Sequence, residues 1–402
     1  MVTKMILEEN FRFIDLFAGI GGFHCAMSKF SSKADCVFAC EINPNAQKVY
    51  KDNFHMDVFP DITVATQSDI KNKYEVVCGG FPCQTFSKAG MQQGFGDPRG
   101  TLFRDIIRLI QKDTLLDQPK ILILENVRNL ITHDNGVTWN TIKKSLEDIG
   151  YNVIKTPLVV GPKDFGIPQL RDRAIILAVR SDIYSGPIEI DIPRNKNNTL
   201  SIYPYLVHDK SSERCGISEK ERQVLIAWDD FIKNINQKVI GFPIWSDEFG
   251  KNYDTSCYPK WKQDFILKNR RLYKENREYI DHWFKKYKIR ELIPTYRKFE
   301  WQAGENIESV FEGIIQFRPS GIRVKRPTEC PTLVAMVQIP IIGKYMRRIS
   351  VKEAAKLQSF PEDFKFNERD FDAYMQLGNA VNVDVIYNVF KKFIDFLNEK
   401  GC

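Results

Sequence analysis

The chain lacks the features that would place it outside a reducing compartment. No apolar run approaches the ~18 residues that a membrane-spanning helix needs. Its opening, Met1-Val-Thr-Lys-Met-Ile-Leu-Glu-Glu9, is too short and too acidic for a secretory signal. Nine cysteines are scattered without the paired spacings of a disulfide framework. Cys36 and Cys40 sit on one expected strand, and no second pair or histidine cluster answers them, so no metal site is expected. A cytoplasmic protein follows as the expectation. Two nucleotide signatures are missing as well. No Gly-x-Gly-x-x-Gly spacing and no Gly-Lys-Ser/Thr occur, which weakens a phosphate-binding reading. No internal repeat is visible, and low complexity is confined to short loops.

What is present supports more than one domain. The chain has 402 residues, of which 43% are hydrophobic, enough for a sizeable core. A formal net charge of +7 is compatible with a polyanionic partner but does not by itself argue for one. From Phe11 to about Arg180, short apolar runs alternate with amphipathic stretches. Strands are expected near 12–17, 36–41, 75–80, 121–125, 152–160 and 174–179, and helices near 22–30, 44–54, 102–113 and 139–149. Such alternation implies an α/β domain with a mostly parallel sheet covered on both faces, and ligands at the carboxyl ends of its strands.

Four segments fall at those strand ends. Gly79-Gly-Phe-Pro-Cys-Gln-Thr-Phe-Ser87 follows a buried-strand run and carries Cys83 in a Pro-Cys-Gln turn. That cysteine is either a buried structural thiol or a nucleophile presented at the sheet edge. Asp15-Leu-Phe-Ala-Gly-Ile-Gly-Gly22 is a glycine-rich strand-to-helix turn where a ligand can approach the backbone closely. Glu41, ending the second strand, is placed to accept hydrogen bonds from ribose hydroxyls, which suggests an adenosine-type cofactor. Ile121-Leu-Ile-Leu-Glu-Asn-Val127 delivers Glu125 and Asn126 to a buried strand end, a costly place for a carboxylate that is neither paired nor used. In Gln169-Leu-Arg-Asp-Arg173 the alternating Arg171 and Arg173 point the same way on an extended segment. They suit a phosphate or a polarised carbonyl, or are simply salt-bridged.

Taken together and in this order, these segments resemble the motif series of the DNA (cytosine-5)-methyltransferases of bacterial restriction–modification systems. Arg347-Arg-Ile-Ser-Val-Lys-Glu-Ala-Ala-Lys-Leu-Gln-Ser-Phe-Pro361 and Gly378-Asn-Ala380 extend the match. The resemblance implies a Rossmann-like S-adenosylmethionine-dependent domain over 1–180, a smaller irregular target-recognition domain over 181–344, and a return to the catalytic domain over 345–402. It implies methyl transfer from S-adenosyl-L-methionine, leaving S-adenosyl-L-homocysteine, to C5 of a cytosine flipped out of a specific short double-stranded DNA sequence. By the same resemblance Cys83 adds covalently to C6, Glu125 meets the N3 edge beside Asn126, Arg171 bonds O2, and Arg173 braces the loop and phosphate. Phe17, Ala18, Gly19, Gly21, Gly22, Glu41, Ile42, Asp69, Ile70, Gly80, Pro82, Leu102, Asn379 and Ala380 are implied at the cofactor. Gln84, Ser87, Gln169 and Thr332 are implied at the DNA. A separately acting cognate restriction endonuclease, a monomeric state and a nucleoid-associated location in bacterial cytoplasm complete what it implies.

The glycine-rich stretch 87–102 reads as a mobile lid or as an ordinary surface loop. Residues 181–344 show no strand–helix rhythm. Within them, Trp261 to Tyr273 mixes aromatic and basic residues; Lys268, Arg270 and Arg271 are either phosphate contacts or a solvated helix face. Later, Ser350-Val-Lys-Glu353 has the form of a capping box. Two other functions stay open. A transfer-RNA cytosine-5 methyltransferase of the same family shares the motifs but typically has a smaller recognition region, and a catalytically silent DNA-binding module would not need an intact Cys83, Glu125 and Arg171. An amino-methyltransferase would need Asp/Asn-Pro-Pro-Tyr/Phe, which does not occur.

Overall fold

Residues 5–82, 102–192, 194, 200–235, 239, 241–333 and 338–402 are described by the structure, a computed structural model. They form two compact units: residues up to Asn198 together with Ala355–Cys402, and Thr199–Ala354. Both divisions fall later in the chain than the 180/181 and 344/345 positions that the end of the strand–helix rhythm and the resemblance imply.

In the first unit the apolar runs become one seven-stranded sheet. Its strands are β1 (Arg12–Leu16), β2 (Asp35–Cys40), β3 (Val76–Gly79), β4 (Ile121–Val127), β5 (Tyr151–Val153), β6 (Leu158–Val160) and β7 (Arg173–Arg180). The order is β2-β1-β3-β4-β7-β5, with β6 also on β7. The four strands β2, β1, β3 and β4 are mutually parallel. Helices α1 (Gly22–Phe30), α2 (Pro44–Phe54), α3 (Leu102–Ile110) and α4 (Val137–Asp148) lie between strands in sequence. Asn43 opens α2 by accepting from the backbone N–H groups of Asn45 and Ala46, with Pro44 in the first turn. Ile121 to Leu124 and Ala174 to Val179 are fully buried, so both faces of the sheet are covered.

The expected single strand at 152–160 is two, β5 and β6, separated by a break that contains Pro157. Strand β7 runs antiparallel to β4, β5 and β6. A parallel return needs a crossover of a dozen or more residues, usually helical. The link from β6 to β7 holds only the short 3₁₀ turn Pro162–Phe165, so the chain doubles back.

The second unit is not irregular. Strands β8 (Ile244–Trp245), β9 (Lys298–Gln302), β10 (Ile314–Arg318), β11 (Gly321–Lys325), β12 (Ile341–Ile342) and β13 (Arg347–Arg348) form a six-stranded sheet in the order β13-β12-β10-β11-β9-β8. All its pairings are antiparallel except β9 with β11. Strands this short carry too few alternations to be read against the surrounding loops. Helices α5 (Glu219–Asn234), α6 (Lys260–Glu275) and α7 (Arg277–Tyr287) belong to this unit. Its core centres on Trp228, Phe231, Trp283 and Phe299; the Trp228 and Phe299 rings stack 4.7 Å apart.

The expected capping box at Ser350 is present. Ser350 N–H donates to Glu353 Oε2 at 2.7 Å, and Glu353 N–H donates to Ser350 Oγ at 3.2 Å. It opens α8 (Val351–Leu357), within which the division between units falls. Helices α9 (Asp370–Asn379) and α10 (Val383–Glu399) then complete the first unit.

Candidate active site

In the order β2-β1-β3 the strands that follow β1 are laid down on opposite sides of it, and the carboxyl ends of β1 to β4 are where such a parallel sheet leaves a crevice. A cleft of about 430 Å³ lies there. It is built from the residues that follow each strand: Phe17 and Gly19 after β1, Glu41 and Ile42 after β2, Gly80 to Pro82 after β3, and Glu125 to Val127 at the end of β4. Leu102, Arg171, Arg173, Gly378 and Asn379 close it from other parts of the same unit.

One end presents the Glu41 carboxylate and the Gly19 turn to the cleft. Glu41 Oε2 accepts from the Gly19 N–H at 2.9 Å, and Oε1 accepts from the Asn43 N–H at 2.8 Å. Each carboxylate oxygen keeps a second lone pair that a ribose diol can use. Phe17 has φ of +55°, which is rare for a residue with a bulky side chain, and Gly19 has the same φ. A Cβ at Gly19 would meet no atom within 4 Å, so this is the glycine that faces open cleft. Ile42 lines the cleft and is 71% exposed, an apolar surface that a flat ring would cover.

The other two glycines of this turn, Gly21 and Gly22, serve packing. Gly21 has φ of +92°, and a Cβ there would overlap the Phe54 ring. A Cβ at Gly22 would lie 2.8 Å from the Val381 side chain, so Gly22 lets α1 approach the C-terminal return. Ala18 is buried against Ala39 and Tyr50. None of these three lines the cleft.

Asp69 and Ile70 do not line the cleft either; Asp61 and Ile62 do. The dipeptide Asp-Ile occurs twice in this stretch, and it is the first copy, not the expected second, that lines the cleft. Asp69 turns inward on its own 3₁₀ turn, its Oδ2 accepting from both the N–H and the hydroxyl of Thr66 at 2.7 Å. These hydrogen bonds hold its carboxyl below the usual range. Ile70 is buried.

The other end holds the ionisable cluster. Because β7 runs antiparallel to β4, Arg173 stands opposite Val127, diagonal to Glu125 on the same face. Arg173 Nε lies 2.8 Å from Glu125 Oε1. Burial pushes the Glu125 carboxyl up, and the guanidiniums of Arg173 and Arg171 pull it partly back. Burial, then the like charge of Arg173, lowers Arg171 to about 9. Arg171 Nη2 donates to the Ala380 carbonyl at 2.6 Å. Asn126 braces the neighbouring turn: its Nδ2 donates to the Phe81 carbonyl at 2.9 Å and its Oδ1 accepts from the Val127 N–H at 2.8 Å.

Cys83, Gln84 and Ser87 lie outside the described residues, as does most of the glycine-rich stretch 87–102. Gln169 is fully buried, and neither of its amide atoms has a hydrogen-bond partner among the described residues, so it is not on a DNA-facing surface. Thr332, Lys268, Arg270 and Arg271 belong to the second unit. There Arg270 lies over the Tyr253 ring at 4.2 Å and 3.5 Å from Glu248, while Arg271 pairs with Glu275 at 2.6 Å. Val127 lines the cleft beside Asn126, as the resemblance implies, and Cys40, Phe81 and Gly378 line it without having been expected. Each adjoins a residue that had been, and adjacency was the available signal.

The family model of C-5 cytosine-specific DNA methylases matches residues 11–395. The type II methyltransferase M.HpaII of Haemophilus parainfluenzae is 32% identical over 97% of this chain and 91% of its own. The type II methyltransferase M.AluI of Cellulosimicrobium cellulans is 30% identical over 96% and 92%. Among solved structures, a methyltransferase of Entamoeba histolytica superposes with a TM-score of 0.56 at 18% identity, covering 97% of this chain and 99% of that one. At that identity the likeness concerns the fold. The family uses S-adenosylmethionine, and Glu41, Gly19 and the apolar Phe17 and Ile42 walls fit its adenosine half. With the crevice, the ionisable cluster and these relatives in view, the chain belongs to the C-5 cytosine-specific DNA methylase family and is a DNA cytosine-5 methyltransferase.

Proposed function

We propose that the cleft at the ends of β1 to β4 is the catalytic pocket, that Cys83 is its nucleophile, and that the enzyme methylates one cytosine of a short duplex sequence after flipping it out. The observation that carries this reading is the convergence of Glu125, Arg171 and Arg173 with Glu41 and Gly19 on one crevice. S-adenosylmethionine bound there supplies an electrophilic sulfonium methyl. Phe17, Ile42, Asp61 and Glu41 hold its adenosine, and Gly80 and Pro82 border its methionine end.

The chain's own residues do the rest. The Cys83 thiolate adds to C6, which places electron density on C5. Glu125 holds a proton at the N3 edge, and its burial favours the protonated form this requires. Arg173 keeps the Glu125 carboxyl oriented, and Arg171 faces the O2 edge. Asn126 fixes the backbone at Phe81, directly before Pro82 and Cys83. Once C5 has taken the methyl, as its bond to sulfur breaks, loss of the C5 proton to water and then of the thiolate restores both the ring and Cys83. A base inside a duplex cannot reach such a crevice, so it must leave the stack.

The reading needs no metal. It extends to a monomeric enzyme working on nucleoid DNA beside a separately acting restriction endonuclease. Among the described residues no helix is long and apolar enough to cross a membrane. The test is bisulfite sequencing of a plasmid from cells expressing the wild type and, in parallel, Cys83→Ser. Protection of cytosine in one short context by the wild type alone is the expected result. Equal protection by Cys83→Ser would overturn the nucleophile, and scattered protection without context would overturn the sequence choice.

A further inference from the structure

The second unit holds a cleft of about 540 Å³ of its own. Its floor follows from strand alternation in β9. Phe299 and Trp301 point into the core, so Lys298, Glu300 and Gln302 face the other way. Strand β11 runs parallel beside it with Arg323 in register with Glu300, and the two side chains meet at 2.8 Å. Arg318, on β10, also reaches Glu300, at 3.5 Å. One carboxylate thus orders two guanidiniums, and Lys298 adds a third cation to the same cleft.

The rim is aromatic. Trp261 of α6 is 59% exposed. It meets Phe265 edge to face at 6.0 Å, and Phe265 meets Trp245 the same way at 5.9 Å. An exposed indole beside ordered guanidiniums suits a planar heteroaromatic ring that carries an anionic group. The cleft has the volume of a small-ligand pocket. A duplex is far too wide for it, whereas one base with its sugar and phosphate is not.

We propose that this cleft takes an unstacked nucleotide of the DNA substrate, one other than the target cytosine. The base stacks on Trp261 and Trp245, and its phosphate lies against Lys298 and Arg318. This deepens the DNA reading above and rests on it.

The full chain is first saturated with S-adenosylhomocysteine, so that the cofactor crevice does not take up free nucleotides. Tryptophan fluorescence is then followed during titration with each deoxynucleoside 5′-monophosphate and, separately, with inorganic phosphate. Saturable quenching by a mononucleotide, weakened about tenfold or more in Trp261→Ala, is expected. Trp261 is too exposed for its removal to unfold the unit, and Lys298→Ala should weaken the nucleotide without changing the unquenched signal. A duplex with one unpaired adenine should also bind tighter than the same duplex fully paired, and Trp261→Ala should erase the difference. No quenching, quenching unchanged in Trp261→Ala, equal competition by phosphate alone, or an unpaired-base preference that survives Trp261→Ala would each overturn the proposal. Failure to bind S-adenosylhomocysteine would instead count against the assignment of the catalytic pocket.

Discussion

Arg171 donates from Nη2 to the backbone carbonyl of Ala380 at 2.6 Å, across 209 positions of sequence. Through this bond the segment between β6 and β7 holds the turn after α9, beside Asn379 at the cleft. Arg171→Ala should therefore cost stability as well as activity. A buried hydrogen bond from a charged donor contributes about 1.5–3 kcal/mol, so the melting temperature should fall by several degrees. Thermal denaturation checks this. An unchanged melting temperature would mean that Arg171 acts on substrate alone.

Glu125→Gln should lower methyl transfer by ~10²–10⁴-fold, the usual contribution of a positioned acid or base, while leaving S-adenosylhomocysteine affinity unchanged. Arg173→Ala tests the pairing. Its guanidinium favours the charged carboxylate, so without it the Glu125 titration should move to higher pH. The pH profile of methyl transfer by Arg173→Ala should shift upward relative to wild type. A downward shift would contradict the ion pair.

The two Asp-Ile copies give a direct comparison. Asp61→Asn should weaken S-adenosylhomocysteine by about tenfold, the equivalent of one hydrogen bond. Asp69→Asn should leave affinity alone, because that carboxyl is turned onto Thr66 and does not line the cleft. Calorimetric titration of both variants separates them, and the reverse ranking would restore Asp69 to the cofactor.

Glycine substitutions should split in the same manner. Gly21→Ala combines a left-handed backbone with overlap on Phe54, and should destabilise by about 2–4 kcal/mol. Gly19→Ala carries only the backbone strain, about 1–2 kcal/mol, but projects a methyl into the cleft. Urea unfolding and S-adenosylhomocysteine binding should therefore rank the two variants in opposite orders.

His24 is stacked on Phe54 at 3.8 Å, with Nδ1 2.8 Å from Tyr50 Oη, and burial lowers it to about 4. The unfolded chain takes up that proton near pH 6.5, well before the folded one. Stability from a neutral His24 is thus whole above pH 6.5 and drains away as pH falls toward 4, by on the order of 3 kcal/mol. Buried Asp15, bonded to the same Tyr50, is pushed the other way by its own burial, so its effect has the opposite sign. The informative quantity is the wild type minus His24→Gln difference in unfolding free energy across pH 4 to 7. A flat difference would show that His24 does not titrate in this way.

Local order of residues carried a large part of this protein. Continuous apolar runs, buried on both faces, marked the strands of the first sheet. Ser350 with Glu353 marked a helix start, because a cap is a matter of a few adjacent residues. Strand ends carrying glycine or acid marked Gly19, Glu41, Gly80 and Glu125, all of which line one cleft, since a mostly parallel sheet brings the carboxyl ends of its strands together.

What the sequence could not decide were the choices made by pairing over distance. Two Asp-Ile copies are equivalent as text, and only the path of the chain puts Asp61 at the cleft and turns Asp69 onto Thr66. Gly21 and Gly22 read as ligand glycines, yet the atoms that forbid a Cβ there belong to Phe54 and Val381. The short strands of the second unit have too little alternation to stand out, and their order sets Arg323 beside Glu300. The direction of β7 was open as well. Its antiparallel course follows from a link without a crossover helix, and that course is what carries Arg173 to Glu125.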